Sequence, residues 1–316
     1  MPISITIPVI DISGYLTSDP EETKRVAAAI HSAAIAPGFF QVTGHPISQD
    51  LRDRFTAAVK AFYRLPREVK TRLHRNNSNC LRGYEAVGEQ RLEAGFQDAK
   101  EGFMVGQELE GEGLRFAQGP NQWPTEEECP GFRQVYMEYF EAMRLFSRTM
   151  FGIVALSLGL EEKYFDDFAY GRDTVTMCRA HRYPPTTPEM AAKSRGIGAH
   201  TDFGALTLLL QDDIGGLEVF HRPTQTWHPV YPVKDAYVVN IGDMLERWTN
   251  EKYTSTLHRV ISPVSDRDRY SIAFFNEGLL DQVIECIPTC LEEGGKPKYE
   301  PVKVEEHLKK RYGNSY

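Results

Sequence analysis

Residues 198–220 read GAHTDFGALTLLLQDDIGGLEVF, so two polar groups, His200 and Asp202, stand directly ahead of a run of leucines. Side chains of an extended segment alternate between two faces, so residues two apart look the same way. The leucine run behind them, bounded by Gly204 and by Gly215-Gly216, is strand-like. A His-x-Asp pair alone does not decide between a turn or capping feature and a pair of metal ligands. The decision rests on residues further along the chain.

Downstream of residue 173 the strand-like pattern recurs at close spacing: TVTMCRAHRY, ALTLLL, LEVF, HPVYPV, AYVVNI, TLHRVI and YSIAFF, separated by Gly, Pro, Asp and Asn. Many short strands in this rhythm predict a sandwich or barrel. Upstream, residues 7–12 (IPVIDI) read as an edge strand and residues 21–34 as a helix ended by Pro37-Gly38. GFFQV at 38–42 reads as a strand, and Ser48 as the N-cap of a helix closed by Leu65-Pro66. Residues 74–130 show little period and read as a long irregular excursion with short strands near 101–105. From 132 to 158 Phe132, Tyr136, Tyr139, Phe140, Met143 and Phe146 fall on one helical stripe, which core packing explains better than a cofactor does. A last surface helix is expected at 304–312.

The expected organisation is a helical and irregular region over 1–130, a supporting helix over 131–172, a β core over 173–280 and a C-terminal extension over 281–316, forming one compact unit. The 41% apolar and 25% charged content is that of an ordinary globular chain. No run approaches eighteen apolar residues, and the N-terminus lacks a basic segment followed by a long apolar one, so neither a membrane span nor a secretory leader is expected. Five cysteines, an odd number without a C-x-x-C pair, argue against a disulfide framework and for a reducing, cytoplasmic setting. A net charge of −8 with dispersed basic residues points away from nucleic acid and towards a small-molecule substrate; the sequence leaves the oligomeric state open, a monomer being compatible with it.

Three further polar residues fall in the β region. His258 lies in STLHRVI, 56 residues after Asp202, and Arg269-x-Ser271 comes eleven residues beyond it. Each alone has an ordinary reading: a satisfied strand histidine, a surface arginine. Their joint order is hard to attribute to chance. Two imidazoles and a carboxylate make the facial triad that holds non-haem Fe(II) while leaving three coordination positions open. A closed four-ligand zinc site would leave none. Arg269 offers a planar fork for a distant carboxylate, and Ser271 a hydroxyl at the same end.

Across residues 7 to about 276 the chain resembles the iron- and 2-oxoglutarate-dependent dioxygenases, in the branch that includes isopenicillin N synthase. The stretches carrying the resemblance include IPVIDI, GFFQV, FYRLPREVK, RYPP, GAHTDFGALTLLLQD, YVVNIGD, YTSTLHRV and RYSIAFF. The resemblance implies a mainly β fold, a double-stranded β-helix (a distorted jelly roll) supported by helices. It assigns His200, Asp202 and His258 to Fe(II), and Arg269, Ser271 and Tyr183 to the distal carboxylate of 2-oxoglutarate, with O2 as second co-substrate. His181 stands where plant members usually carry asparagine, and T-G-H-P-I at 43–47 replaces the usual N-H-G-I, a change expected to alter a turn only.

By family position Arg179, Phe203, Glu246 and Phe275 are the candidates for the substrate pocket. Glu246 turned inward would take an amine or hydroxyl, and Arg179 a carboxylate; together they would suit an amino-acid-like substrate, and the sequence leaves both orientations open. The implied reaction is oxidation of a substrate C–H bond coupled to decarboxylation of 2-oxoglutarate to succinate and CO2. Two alternatives share the pattern: a 2-oxoglutarate-independent oxidase of the isopenicillin N synthase type, whose R-x-S holds a substrate carboxylate, and a noncatalytic β-domain used for binding.

Overall fold

A computed structural model describes residues 6–313; residues 1–5, part of the stretch read for a leader, lie outside the described residues. Two β-sheets face each other as a double-stranded β-helix. The larger runs in the order Val9–Asp11, Phe39–Thr43, Tyr237–Ile241, Leu206–Gln211, Arg269–Leu279, Thr174–Tyr183, Glu101–Gly106 and Gly83–Glu85. The smaller runs Thr226–Pro229, Leu217–His221, His258–Ile261, Ser194–His200 and Gln97–Asp98. Chain segments alternate between the sheets, so strands distant in sequence end up adjacent around one interior.

The long helix Phe132–Ser157 lies behind the larger sheet, and at a rise of about 1.5 Å per residue it extends about 39 Å. Tyr136, Tyr139, Phe140, Met143 and Phe146 are fully buried, so the aromatic stripe is core. Specific contacts fix its seat. The Tyr136 hydroxyl lies 3.1 Å from the carbonyl oxygens of both Phe103 and Cys178, and Asn276 Nδ2 donates to Ser147 Oγ at 3.0 Å. The earlier helices begin where their caps dictate. Asp19 accepts from the amides of Glu21 and Glu22 ahead of Pro20–Ile35, and Ser48 accepts from Leu51 ahead of Gln49–Tyr63.

The larger sheet is not confined to the C-terminal half. Four of its strands come from residues before 107, and the 74–130 excursion contributes Gly83–Glu85 and Glu101–Gly106 as its outer end. These strands carry buried charges where a periodic reading expects apolar side chains. Glu101 is 2% exposed and accepts from Lys70 at 2.8 Å and Arg182 at 2.6 Å; Glu85 pairs with Lys100 at 2.9 Å and with Arg179. Such charges tolerate burial only because each has an opposite partner. The T-G-H-P-I segment forms a turn in which the His45 ring packs edge-on to Tyr237 at 4.7 Å. Among the described residues no helix is long and apolar enough to cross a membrane.

Candidate metal centre

The smaller sheet brings the two histidines together. His258 pairs with His200 on antiparallel strands, and the ring centroids lie 4.3 Å apart. His200 Nδ1 lies 2.8 Å from the Gly198 carbonyl oxygen and His258 Nδ1 3.0 Å from that of Thr256. A carbonyl can only accept, so each Nδ1 carries the proton and each Nε2 keeps a free lone pair. Those Nε2 atoms lie 3.6 and 3.7 Å from Asp202 Oδ1. The other carboxylate oxygen, Oδ2, accepts from Thr207 Oγ1 at 2.6 Å and Asn240 Nδ2 at 2.7 Å, which turns Oδ1 towards the imidazoles. Among the described residues this is the one group of three His, Cys, Asp or Glu ligand atoms close enough to hold a metal ion.

Asp202 sits just past its strand, on a loop that the next elements brace. The amides of Asp243 and Met244 donate to the carbonyls of Asp202 and Gly204 at 2.9 and 3.1 Å. A side chain at Gly242 would collide with the Gly204 carbonyl, so the Gly-Asp turn seats directly on the metal loop. From the other side the C-terminal helix Val304–Gly313 contributes Arg311, which donates to Thr201 Oγ1 at 3.0 Å and stacks on the Phe203 ring.

The electrostatics suit a divalent cation. Burial, with His258 adjacent, depresses His200 to about 4, so its imidazole is neutral at physiological pH. Burial alone would raise Asp202, but the His258 and His200 imidazoles and the hydrogen bonds from Thr207 and Asn240 outweigh it and hold the carboxyl below its ordinary value. Two imidazoles held at Nδ1 by backbone carbonyls, with their Nε2 atoms converging on one carboxylate oxygen, are a donor set for Fe(II).

Behind the triad the cavity continues to a cationic end. It is lined by both sheets. Arg269 is 1% exposed, its Nη1 is buried with no hydrogen-bond partner, and among the described residues no carboxylate pairs with it. Its Nε donates to the Gly215 carbonyl, Nη2 lies 3.3 Å from Gln211 Oε1, and the guanidinium lies over the Tyr183 ring at 4.6 Å. Ser271 Oγ and the Tyr183 hydroxyl are 3.3 Å apart beside it. His181 lines the same space with a buried, unpartnered Nε2; burial, with Arg179 next, drives its imidazole well below its usual range, so it is neutral.

Of the substrate-pocket candidates, Arg179, Phe203 and Phe275 line the cavity. Glu246 does not: it lies on the helix Asp243–Trp248, where its Oε1 accepts from the Ser255 amide at 2.9 Å and stabilises the approach to His258. Arg179 shares its charge with buried Glu85, so it is not a vacant receptor for a substrate carboxylate. Of the two residues expected to suit an amino-acid-like substrate, Arg179 thus faces the cavity paired with Glu85, and Glu246 faces the Ser255 amide. Besides Asp202, the acid that lines the cavity is Glu277; it, Asn240, Thr207 and Tyr312 were not singled out from the sequence. Glu277 continues the alternation Arg269, Ser271, Ala273, Phe275, and that was the available signal.

This fold and triad define a non-haem iron oxygenase, and comparison with known proteins defines the class further. Residues 7–126 match the N-terminal domain of the non-haem dioxygenases in morphine synthesis, and residues 174–278 the 2OG-Fe(II) oxygenase superfamily. The chain is 40% identical to the 2-oxoglutarate-Fe(II) type oxidoreductase hxnY of Emericella nidulans, covering 98% of this chain and 90% of that one. It is 39% identical to the 2-oxoglutarate-dependent dioxygenase citB of Monascus ruber, covering 100% and 98%. Among solved structures, a full-length Neurospora crassa protein in complex with alpha-KG superposes with a TM-score of 0.88 at 30% identity over 99% of this chain and 98% of that one. The same Neurospora crassa protein has also been solved with alpha-KG and thymine, at 29% identity and the same TM-score, covering 100% of this chain and 99% of that one. The chain belongs to the Fe(II)/2-oxoglutarate-dependent dioxygenases. It is therefore an enzyme that uses Fe(II), 2-oxoglutarate and O2, and neither the co-substrate-independent oxidase nor the noncatalytic β-domain describes it.

Proposed function

We propose that His200, Asp202 and His258 hold the iron, that Arg269, Ser271 and Tyr183 hold the distal carboxylate of 2-oxoglutarate, and that a small organic molecule is oxidised at a C–H bond in the outer part of the same cavity. The observation that carries this reading is Arg269. An arginine 1% exposed, facing a cavity with no carboxylate paired to it, is a costly arrangement unless an anion completes it. Its remaining Nη1 and the two hydroxyls of Ser271 and Tyr183 provide one charged and two neutral donors for one carboxylate.

Bound Fe(II) with 2-oxoglutarate and O2 supplies the oxidant for the substrate C–H bond, the co-substrate leaving as succinate and CO2. The chain's own residues set the conditions. The Gly198 and Thr256 carbonyls fix the tautomers that aim both Nε2 atoms inward. Thr207 and Asn240 hold the Asp202 carboxylate to one ligating oxygen. Neutral His181 adds a donor or acceptor near the keto-acid end without adding charge. Phe39, Leu217 and Val260, buried in one apolar cluster, line the cavity with hydrocarbon and limit the water beside the co-substrate. Five unpaired cysteines accord with a reducing cytoplasm as the place of action.

Release of CO2 from carboxyl-labelled 2-oxoglutarate tests the reading. It is expected to require Fe(II), to produce succinate in equal amount, and to rise when an oxidisable substrate is added. Labelled CO2 that is independent of iron would contradict it.

A further inference from the structure

Glu277 lines the cavity but belongs neither to the triad nor to the proposed co-substrate anchor. On the strand Arg269–Leu279 the residues Arg269, Ser271, Ala273, Phe275 and Glu277 all face the interior, with Arg269 and Glu277 at the two ends. The register slips between Asn276 and Gly278, so Glu277 has no pairing partner on the neighbouring strand Thr174–Tyr183. It is 1% exposed. Its Oε1 accepts from the Tyr312 hydroxyl at 3.1 Å, and Oε2 is buried with no partner. Room for Oε2 exists because residue 204 is glycine: a Cβ there would lie 2.7 Å from it.

Two carboxylates lie near this one. Asp202 on the metal loop and Asp243 on the adjoining helix both act to raise it, and Arg311 from the C-terminal helix is committed to Asp243 at 2.9 Å. Burial, with those aspartates adding, pushes Glu277 up to about 8. With Oε1 accepting from Tyr312, the proton belongs on Oε2. An ammonium ligand would require Glu277 to give up its proton against its burial, and among the described residues no cationic side chain is paired with this carboxyl to receive an anionic ligand.

We propose that Glu277 is the polar anchor for the primary substrate, its Oε2 hydroxyl donating to a carbonyl oxygen or ring nitrogen of an uncharged molecule held against Phe203 and Phe275. The inference rests on the dioxygenase reading of the site and names the substrate class that reading leaves open.

The test uses four nearly isosteric probes on the Fe(II)- and 2-oxoglutarate-loaded enzyme without O2: acetophenone, α-methylstyrene, benzoate and benzamidine. Binding is read from perturbation of the iron–2-oxoglutarate charge-transfer band. Acetophenone is expected to bind about tenfold tighter than the other three, the advantage of a satisfied buried donor. Glu277→Leu is expected to reduce that preference to about twofold, and Glu277→Gln, which keeps an N–H donor, to retain most of it. Difference infrared spectroscopy adds a readout that needs only the isosteric variant: a protonated-carboxyl C=O stretch shifts on acetophenone binding in the wild type and is missing in Glu277→Gln. Tightest binding by benzamidine, equal or absent binding of all four, or a preference unchanged in Glu277→Leu would each overturn the proposal. A wild-type enzyme that forms no charge-transfer band would remove the dioxygenase reading, and this inference with it.

Discussion

His200 and His258 face each other across adjacent antiparallel strands, and each is held by the same local device, its Nδ1 bonded to a backbone carbonyl two residues upstream. The pairing register sets the spacing of the rings, and the backbone sets their tautomer. Both devices act through the chain's own backbone, and Asp202 Oδ1 lies 3.6 to 3.7 Å from both Nε2 atoms.

Removing a ligand is therefore expected to abolish iron retention without unfolding the sheet. His258→Ala and Asp202→Ala should each lower Fe(II) affinity by more than the about 10–100-fold typical of an outer hydrogen-bonding partner. Equilibrium binding under chelator competition checks this, with circular dichroism as the control for fold. Iron bound at wild-type affinity by either variant would refute the ligand assignment.

Asn240 supplies the corresponding outer effect. It donates to Asp202 Oδ2 at 2.7 Å and touches no metal position itself. Asn240→Ala should weaken iron binding by about 10–100-fold, with 2-oxoglutarate affinity at saturating iron much less affected. Equal losses for both ligands would point to general disruption and away from orientation of Asp202.

Much of this was legible in the sequence because it repeats with the period of a strand. Arg269 and Ser271, and His200 and Asp202, are pairs two residues apart that share a face, and the C-terminal strands are short apolar runs between turns. The outer strands were less legible. Glu85 and Glu101 are buried charges, and nothing local indicates that Lys70, Lys100, Arg179 and Arg182 arrive from elsewhere to neutralise them. The orientation of Glu246 stayed open for a related reason. The turn at Gly242-Asp243 does lead to the iron loop, but the helical twist beyond it directs residue 246 to the Ser255 amide. Glu277 was missed because the stretch read from the sequence, RYSIAFF, stops at Phe275, one step of the alternation short of it.

The long helix should act as core and not as part of the site. Phe140 is fully buried with its ring centroid 5.6 Å from that of Phe274. Phe140→Ala is expected to cost about 3–5 kcal/mol of stability, measured by denaturant unfolding, while the folded fraction keeps its iron affinity. A cost below about 1 kcal/mol would contradict the burial assigned to this face.

Glu277 should leave a mark on stability as a function of pH. In the folded protein it keeps its proton up to about 8, burial being the main cause. Unfolded, it loses that proton near about 4.3. Between those values the unfolded chain binds fewer protons than the folded one, so this group's contribution to stability falls as pH rises. Glu277→Gln removes the dependence. The variant's Tm relative to wild type should therefore increase from pH 5 to pH 8, and parallel Tm profiles would show that the carboxyl ionises normally.

The central claim is that Arg269 completes a co-substrate site beside the iron. The direct measurement is an anaerobic titration of the Fe(II)-loaded protein with 2-oxoglutarate, recorded in the visible range. Wild type should develop a broad charge-transfer band that saturates, and Arg269→Ala should need about a hundredfold more 2-oxoglutarate for the same band, the loss expected when one partner of a buried charge pair is removed. A band that develops at the same concentration in both proteins, or iron bound tightly with no band in the wild type, would contradict the account.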